Sequence, residues 1–124
     1  MMLVVITTAT ALMWMPYILN SMVVRGVMPT LDNPRDNATP LSPWAARAKR
    51  AHANAVENLV VFAVLVLTLQ MAGAGNGLTS TAATVYVGAR LAHFAVYTAG
   101  IPVVRTLLFV VGFGCQIAIA SQLL

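Results

Sequence analysis

Charge is what this sequence has least of. Asp, Glu, Lys and Arg make up only 8% of its 124 residues, and just three of them are acids. A soluble domain carries roughly 25–35% charged residues on its surface. With 60% hydrophobic residues this chain cannot supply that, which excludes a water-soluble globule and makes lipid the solvent for most of its surface. Cysteine is nearly absent too. Cys115 stands alone in an apolar run, which excludes an intramolecular disulfide and a cysteine-based metal site and leaves helix packing as its role. No metal is expected. The N-terminus has no basic stretch ahead of its apolar run, so it reads as a retained span rather than a cleaved signal peptide. Internal repeats and low-complexity segments are missing as well.

What is present is a series of apolar segments. A bilayer-spanning helix takes about 20 apolar residues, and four such segments account for most of the chain. The first runs from about 1 to 24, with Pro16 as a kink. The second starts near Trp44 and is fully apolar over 59–72. The third covers about 79–99, and Gly100-Ile101-Pro102 turns tightly into the fourth, which reaches Leu124. Proline suits the first turn of a helix, where its missing N–H is no loss. The expected fold is all-α: an integral membrane four-helix bundle forming one domain over 1–124.

The connections differ in character. The first, 25–43, is the longest, polar and irregular, rich in Pro, Asp and Asn; the second, GAGNGLTS, has no charge. Five of the seven basic residues, Arg25, Arg35, Arg47, Lys49 and Arg50, fall on or beside the first connection. Positive charge marks cytoplasmic loops, so this connection is expected inside and both termini outside. The net charge of +4 does not indicate nucleic acid, because there is no soluble face on which to display it.

Once the spans are oriented, the polar residues gather in one layer. Arg25 ends span one; Arg47, Arg50, Asn54 and Glu57 begin span two; Arg90, His93 and Tyr97 lie in the same half of span three; Arg105 is in the first turn of span four. Arg50, Asn54 and Glu57 recur at i, i+4 and i+7, with Arg47 one turn earlier. Tyr86, Arg90, His93 and Tyr97 recur at i, i+4, i+7 and i+11. Each set makes a narrow stripe, and polar stripes in spans face the bundle interior or a water-filled cavity. Snorkelling or loop solvation accounts equally well for Arg25, Arg35 and Lys49, a Glu57–Arg50 pair could merely clamp helices, and His52 points away from the stripe toward surface packing. Glu57 is the only acid within a span, against Arg50, Arg90 and Arg105. Such an excess of cations calls for an anionic ligand, and a small zwitterionic peptide also satisfies Glu57.

These residues carry a resemblance. RAKRAHANAVENLVVF (47–62) looks like the second-helix signature of the MAPEG family, membrane-associated proteins in eicosanoid and glutathione metabolism. VGARLAHFAVYTAGIPVVRTLLFVVGFG (87–114) resembles its third-to-fourth helix segment, and DNPRD (32–36) its first loop. The resemblance, of the bacterial microsomal glutathione transferase type, implies a homotrimer with glutathione bound between subunits near the cytoplasmic face of a multi-pass protein, in a bacterial inner membrane. Its glutathione ligands map onto Arg25, Arg50, Asn54, Glu57, Arg90, His93, Tyr97 and Arg105. Arg105, Thr106 and Asp36 fall where the family places groups proposed to assist the thiol.

Two positions depart from the pattern: Val61 stands where many relatives have proline, and Phe109 where a prostaglandin-synthase branch has tyrosine. The implied activity is a transferase or peroxidase that activates the glutathione thiol against lipophilic electrophiles or lipid hydroperoxides, with peroxidase or isomerase activity as variants. Membrane lipids and a lipophilic small molecule are the expected partners, and nucleic acid is not. A non-catalytic lipid-binding or scaffold member is the main alternative. A small multidrug transporter, which needs an acid in a basic-poor interior, fits this arginine-rich layer poorly.

Overall fold

The structure is a computed structural model describing residues 1–124. It is all-helical: α1 (Met2–Leu12), α2 (Met15–Arg25), α3 (Val27–Leu31), α4 (Pro43–Met71), α5 (Gly77–Ala99) and α6 (Pro102–Ala120). Three stretches are long and apolar enough to cross a membrane: Met2–Arg25, Pro43–Met71 and Pro102–Ala120. Three of the four spans expected from the sequence meet this criterion of length and hydropathy. Arg90, His93 and several threonines dilute α5, although its 23 residues make it a fourth long rod.

α1 and α2 form one rod broken at Met13–Trp14. Pro16, at the start of α2, has no N–H to donate to Leu12. The N–H of Met13 turns instead to the Thr10 carbonyl at 3.2 Å. The kink expected at Pro16 is therefore a real interruption of the helix. α2 ends at Gly26, whose φ of 94° favours glycine. Directly after it, α3 forms inside what reads from the sequence as irregular loop.

α4 runs unbroken for 29 residues, through Val61. Its fully buried Ala45, Ala48 and Ala51 let neighbouring backbones come close. Asn20 fastens its start to α2: the amide donates to Ser42 Oγ at 2.8 Å, and the Ser42 N–H donates to Asn20 Oδ1 at 3.0 Å. Tyr17 and His52 join the same helices at 2.9 Å, so the helix packing expected of His52 takes the form of a specific polar contact.

α5 begins at Gly77, two residues before the sequence-based boundary, because Asn76 and Thr79 form a capping box: each side chain accepts the other's backbone N–H. Gly100 ends it in the left-handed region at φ 84°, and Pro102 starts α6. α6 stops at Ala120 rather than at the chain's end. α5 and α6 pack along each other most extensively, with α4 against both. The core joins Ile6, Phe62, Leu69, Tyr86, Cys115 and Ile119. Phe62 and Tyr86 stack at 3.9 Å between centroids, and such pairs contribute about 0.5–1.5 kcal/mol beyond their burial. Cys115 is buried in this core, as its apolar surroundings imply.

The end of the fold that gathers the charges follows from these turns. α4 begins where α5 ends: Arg47 Nε donates to the Thr98 carbonyl at 3.0 Å, with its guanidinium 3.1 Å from where a Cβ on Gly100 would lie. The Arg47 cation thereby meets the negative end of the α5 dipole and holds the turn leading to Arg105.

Candidate functional site

The α5 stripe turns inward. Tyr86 and Arg90 are 1% exposed and His93 3%. From α4, Asn54 reaches Arg90: the guanidinium donates through Nη2 to Asn54 Oδ1 at 2.6 Å and to the Asn54 carbonyl at 3.2 Å. No acid pairs with it, since the only ion pair in the chain is the exposed Arg35–Asp32 contact at 2.6 Å. Nε and Nη1 of Arg90, Nδ1 of His93 and the Tyr86 hydroxyl are buried without a hydrogen-bond partner. Buried polar atoms are normally satisfied, and an uncompensated buried cation is costly. Arg90 therefore keeps donor capacity at Nε and Nη1 that no group of the chain uses, and an anionic acceptor would satisfy it.

The layer continues across α5 and α6. His93 meets the Tyr97 ring edge-on at 5.7 Å, and the Arg105 guanidinium lies over the same ring at 4.4 Å from its centroid. This cation–π contact fixes Arg105 in the first turn of α6. Asn54, Arg90, His93, Tyr97 and Arg105 thus form one connected set within a single protomer.

The α4 stripe, by contrast, straddles the edge of the packed face. Arg47 and Asn54 turn inward, while Arg50 and Glu57 are exposed on the protomer surface. No Arg50–Glu57 clamp forms, since neither belongs to an ion pair. The other three assignments fall away from the set. Arg25 donates to the Thr39 carbonyl in the loop layer. Asp36 is exposed there. Thr106 is exposed, with its hydroxyl donating to the Pro102 carbonyl at 3.2 Å.

Three residues that support Arg90 escaped the sequence reading. Asn58 donates to the Asn54 carbonyl at 2.9 Å, and Gln116 donates to the Asn58 carbonyl at 3.1 Å, so an amide chain runs from α6 through α4 to Arg90. The available signal was Gln116 as the one amide in the apolar run that follows Thr106 in α6. Gly112 passes so close that a Cβ there would lie 3.3 Å from Arg90 Cδ; nothing in the local sequence marks it, because Gly114 beside it meets nothing within 4 Å.

Comparison with known proteins places this layer in context. Similar curated proteins are microsomal glutathione S-transferase 1 of Rattus norvegicus and of Mus musculus, each 34% identical over 79 residues, and that of Homo sapiens, 33% identical over 79 residues. The alignments cover 63% of this chain and 51% of each relative, so the chain spans about half the length of the curated relatives it matches. No solved structure matches. Over its whole length, residues 1–124, the sequence matches the MAPEG family, and the chain belongs to that family.

Proposed function

We propose that this integral membrane protein is a glutathione transferase in which all four long rods cross the bilayer. Glutathione binds between the copies of a homotrimer near the cytoplasmic face. The observation that carries the reading is Arg90: a fully buried guanidinium with two unpartnered donor nitrogens in a family that includes glutathione transferases. Glutathione offers two carboxylates, an ammonium group and a thiol. Arg90 and Arg50 suit the carboxylates, Glu57 the ammonium group, and Arg105 a thiolate.

What supports a neighbouring copy is where the charges point. Glu57 is the middle residue of a 29-residue helix and is exposed on the protomer. Facing lipid there costs several kcal/mol, and a neighbouring copy removes that contact while completing the site. A free thiol is only a few per cent thiolate at neutral pH. The Arg105 charge at the positive end of α6 favours loss of the thiol proton to water; the thiolate sulfur then forms a C–S bond to an electrophile arriving from the bilayer as the leaving group departs with the electron pair of the broken bond. Membrane residence suits a lipophilic second substrate.

The test is calorimetric titration with glutathione, combined with native mass from mild detergent. Three protomers per particle and saturable binding are expected. Glu57→Gln and Arg50→Ala should each weaken binding by about 2–5 kcal/mol with little loss of melting temperature. A dominant monomer or dimer that still binds glutathione would sink the intersubunit site. A non-catalytic scaffold would bind lipid and show no thiol chemistry in an assay with a lipophilic electrophile.

Gly112 supplies a finer prediction. In a helix, Gly→Ala gains about 1 kcal/mol of propensity, but at Gly112 the new methyl forces the Arg90 side chain to shift. Gly112→Ala should keep its melting temperature and lose glutathione affinity roughly tenfold, about 1.4 kcal/mol. Gly114→Ala, in open space, should leave affinity unchanged. Equal affinity in both variants would remove Gly112 from the account.

A further inference from the structure

A second concentration of positive charge lies outside the layer built on Arg90. Between the end of α2, α3, the following loop and the start of α4 is a cavity of about 870 Å³, into which Arg25, Arg35 and Lys49 converge. Its only acid is Asp32, already engaged by Arg35. Arg25 uses Nε on the Thr39 carbonyl; the Lys49 ammonium has no partner in the chain. Three cations against one acid leave an excess of two positive charges around a concave, polar space.

The surroundings fix the level of this cavity. It opens where the first apolar rod ends at Arg25. The adjoining five-residue α3 exposes three apolar side chains: Val27 at 54%, Met28 at 75% and Leu31 at 67%. A loop projecting into water would not display them in a row. A short segment lying in the membrane interface would, with its apolar side chains among the acyl chains and its polar side toward the headgroups. Trp44, 41% exposed at the start of α4, is the residue type enriched at that depth.

We infer that this cavity binds the phosphate of an anionic phospholipid headgroup, with the apolar side of α3 against the lipid's acyl chains. Basic residues beside the cytoplasmic end of a span attract anionic lipid by about 1 kcal/mol each. The Arg guanidinium and the Lys ammonium are the donors suited to phosphate oxygens. The inference uses no residue of the connected set on α4, α5 and α6; Arg25, which the resemblance maps to glutathione, is left unchanged in the test, which replaces only Arg35 and Lys49.

The experiment is native mass spectrometry of the detergent-purified full chain with phosphatidylglycerol or phosphatidylcholine at matched concentrations. Wild type should retain phosphatidylglycerol well beyond phosphatidylcholine. In the Arg35→Ala, Lys49→Ala double variant, that preference should fall by roughly 30-fold, equivalent to about 2 kcal/mol. Arg35→Lys with Lys49→Arg, which keeps the charge and guards against misfolding as the cause, should retain most of it. Inorganic phosphate and glycerol phosphate, added as competitors, should displace little lipid, because neither engages α3. Equal retention of both lipids, an unchanged preference in the alanine double variant, or displacement by soluble phosphate would each overturn the lipid assignment. Displacement by glutathione would assign the cavity to the thiol site and overturn it as well.

Discussion

Replacing Arg90 with methionine should weaken glutathione binding by roughly 30-fold or more while leaving the ligand-free protein about as stable as wild type. The two halves of that result rest on one observation. Arg90 is 1% exposed, and only its Nη2 has a partner. If Arg90 were a structural fastener, losing it would break a buried contact and lower the melting temperature sharply. As a ligand-binding group it is instead a burden on the empty protein, since apolar residues of similar volume often match or exceed a buried charge in stability. The Asn54 oxygen loses its donor, a cost of about 1–3 kcal/mol, which the removed desolvation penalty offsets. Binding should weaken by about 2–5 kcal/mol, or roughly 30-fold to several thousandfold. Arg90→Lys should recover only part of this, because a single ammonium group cannot both reach Asn54 and offer the spread donors of a planar guanidinium. Melting curves with and without glutathione check both halves. A variant that melts far below wild type and still binds glutathione in its folded fraction would return Arg90 to a structural role.

Arg105→Ala should separate activation from binding. Its guanidinium is held over Tyr97 in the first turn of α6, on a different helix from Asn54, Arg50 and Glu57. Binding should therefore be partly spared. Removing a cation beside the sulfur destabilises the thiolate, so the bound thiol's pKa rises; a rise of one unit corresponds to about 1.4 kcal/mol. The sign of the pH effect follows. Near neutrality the variant holds less thiolate than wild type, by up to about tenfold for a one-unit rise, and should turn over more slowly in proportion, recovering as pH climbs through the displaced pKa. The pH–rate profile with a lipophilic electrophile reads this directly. A profile of unchanged position and uniformly reduced height would point to misplacement of glutathione rather than loss of thiolate stabilisation.

The sequence made the α5 side of the site legible because one helix carries it. Tyr86, Arg90, His93 and Tyr97 share a face by helical spacing alone, and all four turn inward. The α4 stripe was equally regular, yet it divides: spacing places residues on one face but does not say where the neighbouring helix stops covering that face. Arg50 and Glu57 fall just beyond this edge. The boundaries that shifted have local causes. The capping box of Asn76 and Thr79 starts α5 early, and α3 forms within a Pro-rich stretch because the left-handed Gly26 redirects the chain. Gly112 and Gln116 were hidden for another reason. Their roles come from contact with Arg90 and Asn58 across helices, which no spacing within α6 encodes. Arg25 was placed in the layer by topology and Asp36 by resemblance, and a single protomer keeps both at the loop level, away from Arg90.

The central claim is that this chain binds glutathione and stabilises its thiolate. The most direct test is the ultraviolet difference spectrum of the purified wild-type protein on addition of glutathione at neutral pH, where thiolate absorbs and thiol does not. The account predicts a saturable thiolate band, absent when S-methylglutathione replaces glutathione and shifted to higher pH in Arg105→Ala. Saturable glutathione binding whose thiolate band appears only where free glutathione itself ionises would contradict it.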